Sequence, residues 1–343
     1  MIENDKVQKM LYGGDYNPEQ WPEDTWEEDM RLLKLAHIDT VTLNVFSWAS
    51  LQPDENTYCF EKLDKIMELV KKHGMKVCLA TSTGAHPAWM ARKYPDILRT
   101  EFSGMRRKFG GRHNSCPNSP TYRKYSVRLA SKLAERYKNY DNIVAWHISN
   151  EYGGECYCEN CEKAFRVWLK DRYQTIDELN RAWNTAFWGH TMYDWDDAVL
   201  PNMLSEHFAF ERTTFQGISL DYQKWAKELD FVSWDNYPAN EDSIASIALR
   251  HDLMRGIKQG KPFALMEQTP SVTNWLPYNA LKRLGVMRLW SYQAVAHGAD
   301  TVMFFQMKRS IGACEKYHGA VIDHVGNENT RVFRRTKRES ALC

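Results

Sequence analysis

Trp146-His147-Ile148-Ser149-Asn150-Glu151 is an apolar, strand-like run that stops abruptly on an amide and a carboxylate. Phe263-Ala264-Leu265-Met266-Glu267 repeats the pattern more than a hundred residues later. An ionised group at the end of a buried strand is expensive, on the order of several kcal/mol unless partners or chemistry compensate it. Working outward from these two runs, the same ending recurs. Candidate strands at 10–16, 40–46, 76–80, 143–148, 231–234, 263–266 and 301–306 close on polar or aromatic residues, among them Asp15-Tyr16-Asn17, Phe46-Ser47-Trp48, Thr81-Ser82-Thr83, Asp235-Asn236-Tyr237 and Gln306. Amphipathic segments at 26–36, 60–72, 122–137 and 161–173 read as helices, with Gly74 a natural stop for the second. This alternation predicts a parallel sheet wrapped by helices. In a (β/α)8 TIM barrel every strand C-terminus opens onto one face, where functional groups collect, so the uniform endings favour a barrel over an open doubly wound sheet. No Gly-rich phosphate loop follows the first strand to argue otherwise.

The strand count is one short. About eighty residues separate Glu151 from Phe231, and only Thr213-Thr214-Phe215 offers a weak strand between them. The expectation is an α/β barrel missing or replacing its fifth strand. Arg331-Val332-Phe333 opens a last helix, but Arg334-Arg335-Thr336-Lys337-Arg338-Glu339-Ser340 carries no apolar stripe, so that helix is expected to be truncated.

Lys plus Arg number 45 against 44 Asp plus Glu, a net charge of +1, which supplies no field for nucleic acid or an anionic membrane. No basic-then-apolar leader opens the chain and no stretch is long enough to span a bilayer, so a cytoplasmic protein is expected. The 13 Trp and 17 Tyr mostly serve a core, although aromatic faces also suit the C–H faces of sugar rings. Eight Cys in a cytoplasmic chain prompt a search for a metal rather than disulfides. Cys156-x-Cys158-x2-Cys161, with Cys116, supplies four thiolates for a closed tetrahedral zinc site, structural because no position is left for an activated water. Cys59, Cys78, Cys314 and Cys343 read as isolated thiols. With no internal repeat or flexible linker, residues 1–343 read as a single catalytic barrel domain with a zinc-binding loop region at 112–161.

Glu151 and Glu267 together suit the acid/base and nucleophile of a retaining glycosidase, whose carboxyls stand about 5–5.5 Å apart. Glu151 would protonate the leaving oxygen and Glu267 attack the anomeric carbon, while Asn150 hydrogen-bonds a sugar hydroxyl. Taken alone, either Glu is explained as well by a salt-bridged strand end, and Asn150 by a strand-end cap.

Four stretches carry a family resemblance: Trp146-His147-Ile148-Ser149-Asn150-Glu151-Tyr152, Val232-Ser233-Trp234-Asp235-Asn236-Tyr237-Pro238, Leu265-Met266-Glu267-Gln268-Thr269-Pro270-Ser271, and Met287-Arg288-Leu289-Trp290-Ser291-Tyr292-Gln293-Ala294-Val295-Ala296-His297-Gly298-Ala299-Asp300. With them the chain, over 12–333, resembles glycoside hydrolase family 42, the β-galactosidases. The resemblance implies a retaining enzyme on a (β/α)8 barrel that cleaves terminal non-reducing β-D-galactosides by double displacement, without an organic cofactor. It puts Glu151 at the acid/base position and Glu267 at the nucleophile position. Arg112, Asn150, Trp188, Tyr237, Trp275, Glu315 and His318 fall where the family lines its galactose pocket, and Cys116, Cys156, Cys158 and Cys161 match the zinc cluster of many members. Members also carry a helix and the fifth barrel strand between Tyr222 and Gln223, and continue into a domain that helps build a homotrimer and then a small β-domain. Two other readings stay open: a retaining barrel glycosidase for another β-linked sugar, and a catalytically impaired or inactive fragment with the same signature.

Overall fold

The computed structural model describes residues 7, 9–205 and 221–339. Seven strands form one parallel sheet: β1 (Leu11–Asp15), β2 (Thr40–Leu43), β3 (Lys76–Ala80), β4 (Ile143–His147), β5 (Val232–Asp235), β6 (Phe263–Glu267) and β7 (Ala299–Phe304). Their spatial order is β4-β3-β2-β1-β7-β6-β5, so first and last strands pair and the sheet winds in both directions from β1. Residues on or beside all seven strands, including Leu11, Cys78, Val144, Phe231 and Ala264, line one narrow internal cavity. The sheet therefore curls until β4 and β5 face a common interior, but among the described residues no ladder joins them. Seven strands instead of eight agree with the short count from sequence. The weak strand expected at Thr213-Thr214-Phe215 lies outside the described residues.

Strand β1 shows why the curl is tight. A Cβ on Gly13 would stand 1.7 Å from the Thr40 carbonyl oxygen, so only glycine lets β1 approach β2 this closely. Helices cover the outer face by ordinary amphipathic logic. Glu61–Lys72 buries Leu63, Ile66, Met67 and Val70, the i, i+3, i+4, i+7 stripe. Pro120–Tyr137 buries Tyr125, Leu129, Leu133 and Tyr137; Pro120 opens it, and the Ser119 hydroxyl accepts the Tyr122 N–H at 3.2 Å. Each such aliphatic side chain contributes about 1.5–3 kcal/mol on burial. The core is uneven. Its largest cluster backs β1 to β4, whereas Val232, Phe263, Leu265 and a few neighbours make a separate, smaller cluster behind β5 and β6.

The last helix expected from Arg331-Val332-Phe333 is present and short. Arg331–Glu339 is helical, and Phe333 and Thr336, one turn apart, are both buried. Tyr12 Oη donates to the Thr336 carbonyl at 3.1 Å. The stripe is only two residues wide and one member is a threonine, so hydrophobic periodicity does not reveal it. A buried ion pair ties the same region together. Lys308, in the segment after β7, stands 2.7 Å from Asp29 on the helix Trp26–Leu35; both side chains are about 5% exposed or less. Tyr16 Oη also donates to Asp29, at 2.9 Å, and the Lys308 ammonium lies 4.1 Å from the Trp21 ring.

Candidate active site

The C-terminal ends of the strands bring the polar residues together. After β4 the backbone turns through the left-handed region at Ser149 (φ 61°) and Glu151 (φ 39°), a conformation that costs an L-residue roughly 1–2 kcal/mol. The Ser149 N–H donates to Thr81 Oγ1 on the neighbouring strand end at 2.9 Å, which anchors the turn. On its far side Arg99 donates to the Gly153 carbonyl (2.7 Å) and to the Ser115 carbonyl (2.8 Å), joining the stretch after Glu151 to the loop that carries Cys116.

Carboxylate oxygens of Glu151, Asp235 and Glu267 all lie within 4.8 Å of one another. Two unit charges at such a separation repel by roughly 3–4 kcal/mol at an effective dielectric of about 20, so these groups do not ionise independently. Burial first, and the charge of Glu151 second, push Glu267 up to about 7. Tyr237 Oη donates to Glu267 Oε2 at 2.5 Å and pulls the other way. The Arg112 guanidinium sits 2.8 Å from Glu151 Oε2 and stacks 4.8 Å over the Phe46 ring. Asn150 Nδ2 donates to the same Glu151 carboxylate at 3.3 Å. Glu151, at the mouth, is exposed, whereas Glu267 is buried.

Trp275 meets Tyr237 edge-on, with centroids 5.6 Å apart, and the His318 ring lies 5.8 Å from Tyr237 on another side. Glu315 stands 3.8 Å from His318 and accepts from Asn274 Nδ2 at 3.3 Å. Burial pushes His318 down to about 4, so it sits in the pocket as neutral imidazole. Of the residues singled out from sequence, Glu151, Glu267, Arg112, Asn150, Tyr237, Trp275, Glu315 and His318 thus form one connected cluster. Trp188 stands apart: it is two-thirds exposed, follows the helix Ile176–Trp183, and has its ring against Phe187 at 5.9 Å. Three residues were not singled out. Asp15 and Asp235 had a signal in their strand-end positions, but Phe46 is marked only by the fold that puts it under Arg112.

The four cysteines meet in a second cluster. The sulfurs of Cys116, Cys156, Cys158 and Cys161 lie within 4.8 Å of one another, with Cys116 3.4 Å from both Cys158 and Cys161. Four sulfurs at about 2.3 Å from a tetrahedral ion sit near 3.8 Å apart, so this set fits a metal with little movement. The Asn118 N–H reaches Cys116 Sγ at 3.3 Å, and its Nδ2 reaches Cys161 Sγ at 3.4 Å, donors suited to thiolates.

A curled parallel sheet whose strand ends converge two close carboxyls, with aromatic rings, an amide and a guanidinium around them, defines the glycoside hydrolase class of α/β barrels. Comparison with known proteins narrows this. The family model described as Beta-galactosidase, glycoside hydrolase 42, matches residues 15–217 and 207–341. The β-galactosidase BgaP of Planococcus sp. (strain L4) is 58% identical over 372 residues, covering 96% of this chain and 55% of the relative. LacZ of Lactobacillus acidophilus is 45% identical over 96% of the chain. The crystal structure of a β-galactosidase from Bacillus circulans sp. alkalophilus superimposes with a TM-score of 0.94 at 58% identity, over 99% of this chain and 56% of that one. This chain belongs to glycoside hydrolase family 42. It spans about half the length of these relatives. The BgaP alignment runs over 372 positions, whereas 96% of 343 residues is about 329, so roughly 40 positions have no counterpart here. The family match breaks into its two pieces around residues 207–217, just ahead of the expected gap. No helix among the described residues is long and apolar enough to cross a membrane.

Proposed function

We propose that this chain is the catalytic barrel of a retaining β-galactosidase acting on terminal β-D-galactosides, a single domain over 1–343. The observation that carries the reading is the carboxylate separation. Oxygens of Glu151 and Glu267 lie within 4.8 Å, near the retaining spacing of about 5–5.5 Å and well short of the roughly 6.5–9.5 Å that an inverting enzyme leaves for water. Glu267, buried and held by Tyr237, attacks the anomeric carbon; Glu151, at the open mouth, protonates the leaving oxygen and then activates water. Double displacement requires Glu267 ionised while Glu151 carries the proton, yet Arg112 contacts Glu151. On this reading the sugar draws Arg112 onto its own hydroxyls, freeing Glu151 to hold a proton. Asn150, Glu315 and His318 take further hydroxyls, and Trp275 floors the ring; Trp188 belongs to the pocket by family position alone. The four-Cys set holds structural zinc, consistent with the reducing cytoplasm.

The test is chemical rescue. Glu267→Ala abolishes turnover of an aryl β-galactoside, and added azide restores it with the inverted α-galactosyl azide as product. Glu151→Ala spares the first step on substrates with good leaving groups, and azide there yields the β-product. Swapped product configurations would reverse the two assignments. A second reading, an impaired enzyme, is favoured because among the described residues no ladder joins β4, which runs just ahead of Glu151, to β5; wild-type turnover below that of the full-length relatives by orders of magnitude supports it.

A further inference from the structure

Asp15 is more deeply buried than Glu267 and Asp235, two other carboxyls of this pocket. It ends β1, is 2% exposed, and its Oδ2 has no hydrogen-bond partner. The ladder register pairs Asp15 with Thr42 and Thr42 with Cys78 on one side, and Asp235 with Glu267 on the other, all at or near the strand C-termini. The charged and titratable groups facing Asp15 are Cys78 from β3, Arg112 from the loop after β3, Glu151 after β4, Asp235 and Tyr237 from the end of β5, and Glu267 from β6. One guanidinium in that set meets four carboxyls, and it is already engaged with Glu151. A carboxylate anion in such a place keeps an unsolvated oxygen among like charges, whereas a protonated carboxyl does not. Asp235 is held up in the same direction, by burial first and then by the charges of Glu267 and Glu151, but its side chain on β5 is only half-buried, so Asp15 is the better sealed of the two.

We infer that Asp15 is a positioning residue which stays protonated throughout the working pH range and so holds the charge under the catalytic pair low enough for Glu267 to ionise. The inference rests on the roles proposed above for Glu151 and Glu267. Burial first, and the charge of Glu267 next, hold Asp15 well above the usual carboxylate range, in keeping with the geometry. The electrostatic consequence is specific. Were Asp15 ionised, its charge would raise Glu267 further and move the acid limb of activity toward alkaline pH.

Two readouts on the full chain test this. Infrared difference spectra between wild type and Asp15→Asn, taken well above the Glu267 transition, are expected to show a protonated-carboxyl carbonyl band in wild type that the variant lacks. Comparison with the variant is needed because Asp235, Glu315, Glu19 and Asp29 are also raised by burial. The acid limb of kcat/KM is expected to stay in place in Asp15→Asn, since one neutral group replaces another. Loss of a carboxylate band instead, or an acid limb shifted down by a pH unit or more, overturns the inference. Should Asp15→Asn fold poorly, Asp15→Ser supplies the same spectral comparison. The infrared result needs no turnover, so an inactive chain that keeps the band refutes the proposed function without touching Asp15.

Discussion

Tyr237→Phe isolates one contact and carries a calculable sign. The Tyr237 hydroxyl donates to Glu267 Oε2 at 2.5 Å, and this bond favours the ionised form of a carboxyl that burial and Glu151 otherwise raise to about 7. Hydrogen bonds to charged groups contribute about 1.5–3 kcal/mol, and 1.36 kcal/mol corresponds to one pKa unit, so losing this donor raises Glu267 by roughly 1–2 units. The ring keeps its place, because Trp275 and His318 flank it through faces and edges that phenylalanine retains. Since Glu267 must be ionised to attack, the acid limb of kcat/KM moves up by that amount. Well below the limb, at pH 5–6, kcat/KM falls about 10–100-fold. The assay is initial rate on an aryl β-galactoside from pH 5 to 9, with the thermal midpoint followed in parallel to verify folding. A folded variant whose acid limb is unmoved, or moves to lower pH, would refute the claim that Tyr237 sets the protonation of Glu267.

Because Glu267 is raised in the fold, the stability it lends is complete below its unfolded value near 4.5 and is lost as pH rises through about 7. Glu267→Gln, which cannot ionise, is therefore expected to be more stable than wild type at pH 8 by up to about 3 kcal/mol and nearly equal at pH 4; urea melts at both values check it. Chelation or Cys158→Ala is expected to lower the melting temperature while leaving the kinetics of still-folded protein nearly unchanged; immediate loss of turnover without unfolding, reversed by zinc, contradicts a structural site. Lys308→Met strands Asp29 without its cation in a buried site and is expected to cost about 3–5 kcal/mol by denaturant melts, with no shift in the activity limbs. Inserting at Tyr222–Gln223 the helix and fifth strand that the family resemblance implies is expected to raise the melting temperature and suppress aggregation by pairing the β4 and β5 edges, which no ladder joins among the described residues; an unchanged melt would show those edges to be satisfied already.

What the sequence exposes is whatever a strand or helix decides locally. Strands near 76–80 and 263–266 are continuous apolar runs because both faces of a parallel sheet are covered, and Glu151 and Glu267 stand out because a carboxylate breaks each run at its end. The last helix is legible only at its opening, Arg331-Val332-Phe333, because its fully buried side chains, Phe333 and Thr336, are too few to show a period. Trp188 carries no local signal and could be singled out only by family likeness. Asp15 and Asp235 illustrate the deeper limit. Each is one more polar strand ending until the sheet curls and sets them beside Glu267, and only then does a count of charges mean anything. The proton occupancy that the chemistry depends on is therefore a property of closure. Arg112 reaches Glu151 from a loop some forty residues earlier, and Tyr237 reaches Glu267 from beyond the neighbouring strand, so on a sheet splayed by a few ångströms Glu267 would lose the burial and the Glu151 charge that raise it. Among the described residues no ladder joins β4 to β5, and this breach lies between Glu151 and Asp235, where the carboxyl spacing has least ladder support. Strand pairing across that breach and the pH profile of turnover are accordingly coupled observables: whatever stabilises the one should sharpen the other.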